Sequence, residues 1–415
     1  MKKNLSIATV LFTYNRPKHT EAVLDSLKNN DIRPEKLIIF QDGKKENTDV
    51  AQWESVNCII NNITWCNTET IVSSSNKGLS KSISHGITDV LERYDAVIVL
   101  EDDCVTHPKF MSYMMSALNK YAEDRRIFHI NAYSWKTAIE SNGNDAYFGG
   151  RAGSWGWGTW KDCWSLYKED YKILSRIKSN EYTRRQFEIW GSDLEDYFLG
   201  NVYGYCDSWA TFWAMTVIEQ HGYCLTPYKS LVDNIGFDGT GVHCKASAEI
   251  KTDMLDENRQ NELLLPDDVT FPADYEKIFP LIFKWTPNEK KLQCYYNLTL
   301  SWLRLKLSHK TMTDFLEKKG FFNVAIWGTG NLCDLLLKEL GKNIHVECLI
   351  ESNPAINCYQ NIPVKRIEGL DKNIQLIIVI PVYDIWEIRE KVKQTGKEYI
   401  ILGLDELIAE AMREN

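Results

Sequence analysis

Apolar residues in the first hundred positions fall into short runs separated by mixed, polar-rich stretches. Leu5 to Thr13 and Lys36 to Phe40 have strand length, and Val97-Ile98-Val99-Leu100 is a third run of this kind. Lys18 to Asn29 and Ser80 to Tyr94 read as helices between them. This alternation predicts a parallel α/β sheet. From Phe128 to His243 the chain is richer in glycine and aromatics and less periodic, which predicts a mixed sheet with long loops around one or more helices. Residues 251–320 read as a connector, polar at first, then punctuated by proline, then helical from Asn288 to Lys319. The last hundred residues form a separate βαβ-type unit. Phe322 to Trp327 is a strand, Gly328-Thr329-Gly330 a turn, and a helix runs through Leu340; further strands end near Ile350 and span Ile374 to Ile380. The expected domains are therefore 1–250, 251–320 and 321–415.

Composition narrows the function classes. The chain has 415 residues and a formal net charge of -9, which argues against a general nucleic-acid binder. Its 11 cysteines lack any CxxC pair, so neither a zinc site nor a disulfide framework is expected, and free thiols in a reducing cytoplasm are the simplest account. Met1-Lys2-Lys3-Asn4 passes directly into a strand-like run and does not resemble a signal peptide. Between Lys284 and Lys319, eight Lys/Arg stand against three Asp/Glu. A basic amphipathic helix of this kind can lie on an anionic membrane surface as a peripheral contact; the alternative is a helix packed between two domains.

The chemistry concentrates where strands end. Val97 to Leu100 runs into Glu101-Asp102-Asp103. Three adjacent acids repel one another and are costly near a core. A hard cation relieves that cost, and such cations bridge carboxylates to substrate phosphates. At the carboxyl end of a strand in an open sheet the ligand crevice is close; the alternative is a solvated acidic turn. Thr13-Tyr14-Asn15-Arg16-Pro17 follows the first strand, where Arg16 can grip a phosphate. Asp42 follows the second strand, placed to accept an N–H of a uracil-like base. Lys77 precedes a helix and can meet phosphate near its N-terminus.

In this order the residues resemble the GT-A superfamily of nucleotide-sugar glycosyltransferases. Val10 to Pro17 is similar to the start of family 2. The closer likeness, over about residues 5–245, is to N-acetylglucosaminyltransferase I and its relatives, carried by Asn15-Arg16, Gln41-Asp42 and Glu101-Asp102-Asp103; Asn15 stands where that family has Asp. The resemblance implies a GT-A nucleotide-sugar-binding fold followed by a small Rossmann-like domain. It also implies that Asp103 coordinates Mn2+ or Mg2+, that Asp102 contacts ribose, that Glu101 faces the donor, and that Asp42 and Arg16 hold the base and its surroundings.

Three further stretches bear on function. Gly153-Ser154-Trp155-Gly156-Trp157 pairs small residues with indoles, so Trp155 and Trp157 either wall a ligand or fill a core turn. Cys206-Asp207-Ser208-Trp209 matches the place where the resemblance puts the catalytic base. Asp207 is the candidate, with a helix N-cap as the alternative. Asp233 to His243 has the composition of a flap, and the resemblance gives His243 a diphosphate or metal contact. The expected activity is metal-dependent, inverting transfer from a nucleotide-sugar donor to a glycan or lipid-linked glycan acceptor in bacterial surface polysaccharide synthesis. The rivals are a transferase using a non-nucleotide phosphorylated sugar, a non-catalytic GT-A-like protein, and an NAD-linked oxidoreductase using Gly328-Thr329-Gly330. In that turn motif Cys333 replaces the third glycine of the dinucleotide fingerprint, and Glu351 lies at ribose-ligand distance.

Overall fold

A computed structural model describes residues 5–46, 48–135, 139, 141, 143–203, 206–238, 252–283, 287–352, 354, 356–371 and 373–414. The chain divides into two units, Met1–Lys284 and Trp285–Asn415, so the segment 251–320 is divided between them.

Unit 1 runs β1 Ile7–Thr13, α1 Pro17–Lys28, β2 Leu37–Gln41, α2 Val50–Asn61, β3 Thr68–Val72, α3 Leu79–Arg93, β4 Ala96–Glu101, β5 Cys104–Thr106, α4 Phe110–Lys120, β6 Ile127–Asn131, β7 Ala146–Gly149 and β8 Trp157–Trp160. It continues through α5 Lys161–Trp164, α6 Ile173–Ser179, α7 Glu181–Trp190, α8 Leu194–Tyr203, α9 Trp209–Glu219, β9 Tyr223–Pro227, β10 Val232–Asn234 and α10 Tyr275–Ile282. The main sheet has the order β3-β2-β1-β4-β8-β6-β9-β7, and β5 pairs separately with β10.

Strands β3, β2, β1 and β4 are mutually parallel, whereas β8 runs antiparallel to both β4 and β6. The sheet is thus mixed, as the less periodic second half suggests. Every residue of β1 is buried, and so are the first five of β4. Cover on both faces explains why these strands are continuous apolar runs rather than alternating ones. α3 packs close over β1 because Gly86 has no side chain: a Cβ there would lie 2.7 Å from the Phe12 ring. The chain builds β2 and β3 on one side of β1 and then places β4 on the other. The order reverses between β1 and β4, and the crevice of such a sheet lies outside the carboxyl ends at that reversal.

Unit 2 runs α11 Pro287–Leu307, α12 Met312–Lys319, β11 Asn323–Trp327, α13 Asn331–Leu340, β12 His345–Ile350, β13 Cys358–Tyr359, β14 Ile362–Lys365, β15 Leu376–Val379, α14 Ile385–Gln394, β16 Ile400–Gly403 and α15 Leu404–Arg413. Its sheet order is β13-β14-β12-β11-β15-β16, parallel except at β13/β14. From β14 to β16 this is the order of a doubly wound sheet.

The single helix expected from Asn288 to Lys319 is two helices. His309 adopts φ 58°, which an α-helix cannot contain. Thr311 then caps α12 by accepting the N–H of Asp314 (3.0 Å). Much of the basic charge of this segment is paired within the unit. Lys306 meets Glu339 (2.9 Å), Lys319 meets Glu414 (2.6 Å), and Lys310 donates to the carbonyls of Met412 (2.9 Å) and Glu414 (2.6 Å). Among the described residues no helix is long and apolar enough to cross a membrane, and the ten described cysteines are free.

Candidate active site

The carboxyl ends of β1 and β4 are level, with Phe12 opposite Glu101. The residues that follow each strand therefore meet at the reversal point. Arg16, between β1 and α1, donates through Nη2 to Asp102 Oδ1 and to Asp103 Oδ2 (2.9 Å to the latter). Pro17 occupies the first turn of α1, where its lack of an N–H costs nothing and its fixed φ suits the helix start. Thr13 is buried and donates its hydroxyl to the Phe40 carbonyl (3.1 Å), so it secures the strand ends. Asn15 is half-buried one residue before Arg16.

The electrostatics follow from this crowding. Burial alone would lower the Arg16 pKa, but Asp102 and Asp103 outweigh it and hold the pKa above its ordinary value. Burial raises Asp102, with Arg16 pulling against it. Glu101 is pushed up to about 8, first by removal from water and then by the charges of Asp103 and Asp102. One guanidinium thus serves two of the three acids.

Asp103 has two further neighbours. Its carbonyl accepts the N–H of Ile235 (2.9 Å), which ties the segment after β10 to the acidic turn. At Gly236 a Cβ would lie 2.4 Å from Asp103 Oδ2, so glycine lets the chain pass beside that carboxylate. Phe237 follows and packs edge-on against Trp155 (5.4 Å between centroids). Trp155 is half-buried and also meets Tyr133 (4.6 Å). The Trp155 loop and the segment after β10 therefore touch next to Asp103. His243, and the flap expected around it, lie outside the described residues beyond Asp238.

Trp157 is a correction. It is 0% exposed and stacks between His129 and Trp209, with centroids 5.0 Å away on either side. A side chain closed off in this way packs the core and walls no acceptor. Trp157→Ala is expected to cost about 3–5 kcal/mol of stability, and Trp155→Ala about 1–2 kcal/mol. Chemical denaturation of the two variants checks this; equal losses would contradict the assignment.

Asp42 and Lys77 also differ from expectation. Asp42 is buried, and both its oxygens accept backbone N–H groups. Oδ1 takes Gly43 (2.8 Å) and Lys77 (2.9 Å), and Oδ2 takes Gly78 (3.1 Å). Asp207 Oδ2 accepts the N–H of Ser80 at the start of α3 (3.4 Å). The N-terminal turn of α3 is thus capped by the protein's own carboxylates, which suit its dipole. The N–H groups of Lys77, Gly78 and Ser80 are thereby occupied without a phosphate, and Lys77 is exposed. Asp42 fastens the 77–78 turn to β2, and its oxygens are engaged without a base.

Asp207 itself is exposed, and it is not the cap of α9. That cap is Ser208, whose hydroxyl oxygen accepts the N–H of Thr211 (3.4 Å). Asp207 therefore keeps a solvent-facing carboxylate beside the α3 N-terminus.

A buried network that sequence reasoning missed supports the Trp155 loop. His129 Nδ1 accepts from Trp213 Nε1 (3.0 Å), so the ring proton sits on Nε2 and is donated to Asn131 Oδ1 (2.9 Å). Asn131 Oδ1 also accepts the N–H of Gly153 (2.8 Å), and its amide donates to the Arg151 carbonyl (3.0 Å). Arg151 in turn forks onto Asp193 (2.7 and 2.8 Å). A lone histidine and a scattered Arg and Asp carry no local signal in the chain.

Burial pushes His129 down to about 3. In the unfolded chain it titrates near its ordinary value of about 6.5. Its contribution is full above that value and is lost as pH falls toward the folded pKa. Near pH 5 the loss is about 2 kcal/mol. Melting curves of the wild type and His129→Gln over this range check it: the wild type should show the steeper acid loss, and parallel slopes would contradict the neutral buried ring.

Comparison with known proteins finds a family model that matches part of the chain. Residues 9–171 match the model of glycosyl transferase family 2. The family 2 match runs from β1 to just beyond α5 and includes Arg16, Asp42, the 101–103 turn and Trp155; Asp207 lies beyond it. No curated protein matches the chain. Among solved structures, the mannosyltransferase PcManGT from Pyrobaculum calidifontis, in complex with GDP-Man and Mn2+, is 11% identical with a TM-score of 0.28, over 42% of this chain and 47% of that one. S. aureus TarS 1-349 is 10% identical with a TM-score of 0.32, over 55% and 59%. Its complex with UDP-GlcNAc aligns at 14% identity and a TM-score of 0.25, over 34% and 37%. The chain thus spans less than two thirds of each of these structures.

Proposed function

We propose that unit 1 is a glycosyltransferase that takes a nucleotide-sugar donor in the crevice between the ends of β1 and β4 and transfers the sugar, with inversion, to a glycan hydroxyl. The observation that carries the reading is the meeting of Arg16 with Asp102 and Asp103 at the strand-order reversal, inside the family 2 match. A crevice at that point is where open α/β sheets take their ligands.

The residues fit a hard divalent cation, Mn2+ or Mg2+. The donors are carboxylate oxygens, Arg16 stands on them as a substitute positive charge, and Gly236 leaves Asp103 Oδ2 clear of any side chain of its own. Asp103 would hold the ion, with Asp102 beside it. Among the described residues no group of three His, Cys, Asp or Glu is arranged to hold a metal. When bound, the cation supplies neutralisation of the charge that grows on the leaving diphosphate.

The chain's own residues supply the rest. Asp207, exposed beside the N-terminus of α3, accepts the acceptor hydroxyl proton. Trp155 offers an indole edge near the sugar, and His243 is proposed as a diphosphate contact from the residues that follow Asp238 in the chain. Thr13 and Asp42 hold the strand end and the 77–78 turn that frame the donor. Unit 2 is proposed as a scaffold rather than a dinucleotide site. Cys333 is buried at the third-glycine place, and the Glu351 carboxylate already accepts the Thr329 hydroxyl (2.8 Å). A cytoplasmic site of action, peripheral contact with the inner face of the plasma membrane, and a lipid-linked glycan acceptor belong to the same proposal.

The test is turnover of a panel of UDP-, GDP- and CDP-sugars with Mn2+, read as release of nucleoside diphosphate with and without glycan acceptors. Release from one nucleotide class, lost with EDTA, supports the reading. No release from any donor, with NAD+ reduction instead, would overturn it.

A further inference from the structure

We infer that Arg16 is an exchangeable internal counter-ion: it neutralises Asp102 and Asp103 in the free protein and cedes Asp103 to a divalent cation only when a diphosphate arrives to receive the guanidinium. The inference rests on the donor reading above and deepens it, since it concerns how cation and donor become linked.

Three observations carry it. Nη2 of Arg16 bridges Asp102 Oδ1 and Asp103 Oδ2, at 2.9 Å from the latter. A cation seated on the same Asp103 oxygen would face that guanidinium at close range, and two like charges on one carboxylate oxygen repel each other. Nη1 of the same guanidinium is buried and has no hydrogen-bond partner. A buried donor without an acceptor is costly, and a guanidinium that serves two acids through one nitrogen leaves its fork geometry unused. A diphosphate is the ligand that offers paired oxygens to such a fork. Finally, Arg16 directly precedes α1, whose start is set by Pro17, while Thr20 donates its backbone N–H to the Arg16 carbonyl (3.0 Å). The backbone is thus held, and the exchange is a rotation of the side chain.

The consequence is thermodynamic. A cation alone must displace Arg16 into a place with no acceptor, so it binds weakly. A diphosphate alone must draw Arg16 away from acids that are then left unneutralised. Together the two ligands satisfy every charge, so each tightens the other by the same factor. Part of that factor belongs to direct contact between cation and phosphate; the part that Arg16 carries disappears with its charge.

Mn2+ binding to the full chain, followed by electron paramagnetic resonance with and without saturating UDP or GDP, tests this in the wild type, Arg16→Gln and Arg16→Lys, with melting curves confirming that each is folded. In Arg16→Gln, Mn2+ alone is expected to bind about tenfold tighter than in the wild type, and the enhancement by nucleotide to shrink by a similar factor. Arg16→Lys, a point charge that cannot fork, should fall between. Unchanged or weaker binding of Mn2+ alone in Arg16→Gln, or an undiminished enhancement, overturns the counter-ion role. If neither nucleotide changes Mn2+ binding in the wild type, the donor reading fails, while the Mn2+-alone comparison still decides what Arg16 does to the acids.

Discussion

Asp103→Asn is expected to lower sugar transfer by about 10²–10³-fold or more while leaving the melting temperature nearly unchanged. The substitution keeps the shape of the side chain and its contacts with Arg16 and the Gly236 segment, but removes the charge that would hold a cation against the leaving diphosphate. Stability should hardly suffer, because the change also relieves the crowding of Glu101, Asp102 and Asp103 that raises Glu101 to about 8. The measurement is steady-state turnover at saturating donor, paired with thermal unfolding. A folded Asp103→Asn protein with wild-type turnover would remove Asp103 from the chemistry.

Asp207→Asn is expected to lower kcat by about 10²–10⁴-fold while nucleotide affinity is retained. An amide cannot take the acceptor proton, yet its oxygen can still accept the Ser80 N–H that Asp207 now holds at 3.4 Å. This substitution therefore separates the base from a merely structural role at the start of α3. Asp207→Ala loses that hydrogen bond as well, so similar kcat values in the two variants would point to proton transfer. If Asp207→Asn kept wild-type kcat and only Asp207→Ala were impaired, the carboxylate would be an anchor for α3 and the base would have to be sought elsewhere.

What was legible in the sequence follows from burial. β1 and β4 are covered on both faces, so they appear as continuous apolar runs, and the polar residues that end them stand out as a site. β3, Thr68–Val72, has no fully buried residue and lies at the sheet edge, so its Thr-Glu-Thr-Ile-Val carries no comparable signal. Trp155 and Trp157 look alike in the chain. Only the start of β8 at Trp157 tells the indole in the core from the one beside Phe237.

The misplaced roles have separate causes. Asp42 stands out in the chain as a carboxylate after a strand, but its partners at 77 and 78 arrive through a loop some 35 residues later, and no local pattern encodes that return. Ser208 rather than Asp207 caps α9 because the helix starts one residue further along than an Asp-first reading assumes. The break between α11 and α12 was locally visible in Thr311 and Asp314, whose spacing is that of a cap, but the apolar and basic run before it masked the signal.

We propose that the Arg16, Asp102 and Asp103 crevice binds a nucleoside diphosphate together with a divalent cation. Isothermal titration of UDP, GDP and CDP into the purified chain, first with Mn2+ and then with EDTA, tests it most directly. Binding of one of the three that requires Mn2+ and is lost in Asp103→Asn is the predicted result. Binding that ignores both the cation and Asp103, or binding of NAD+ in place of all three, would contradict the account.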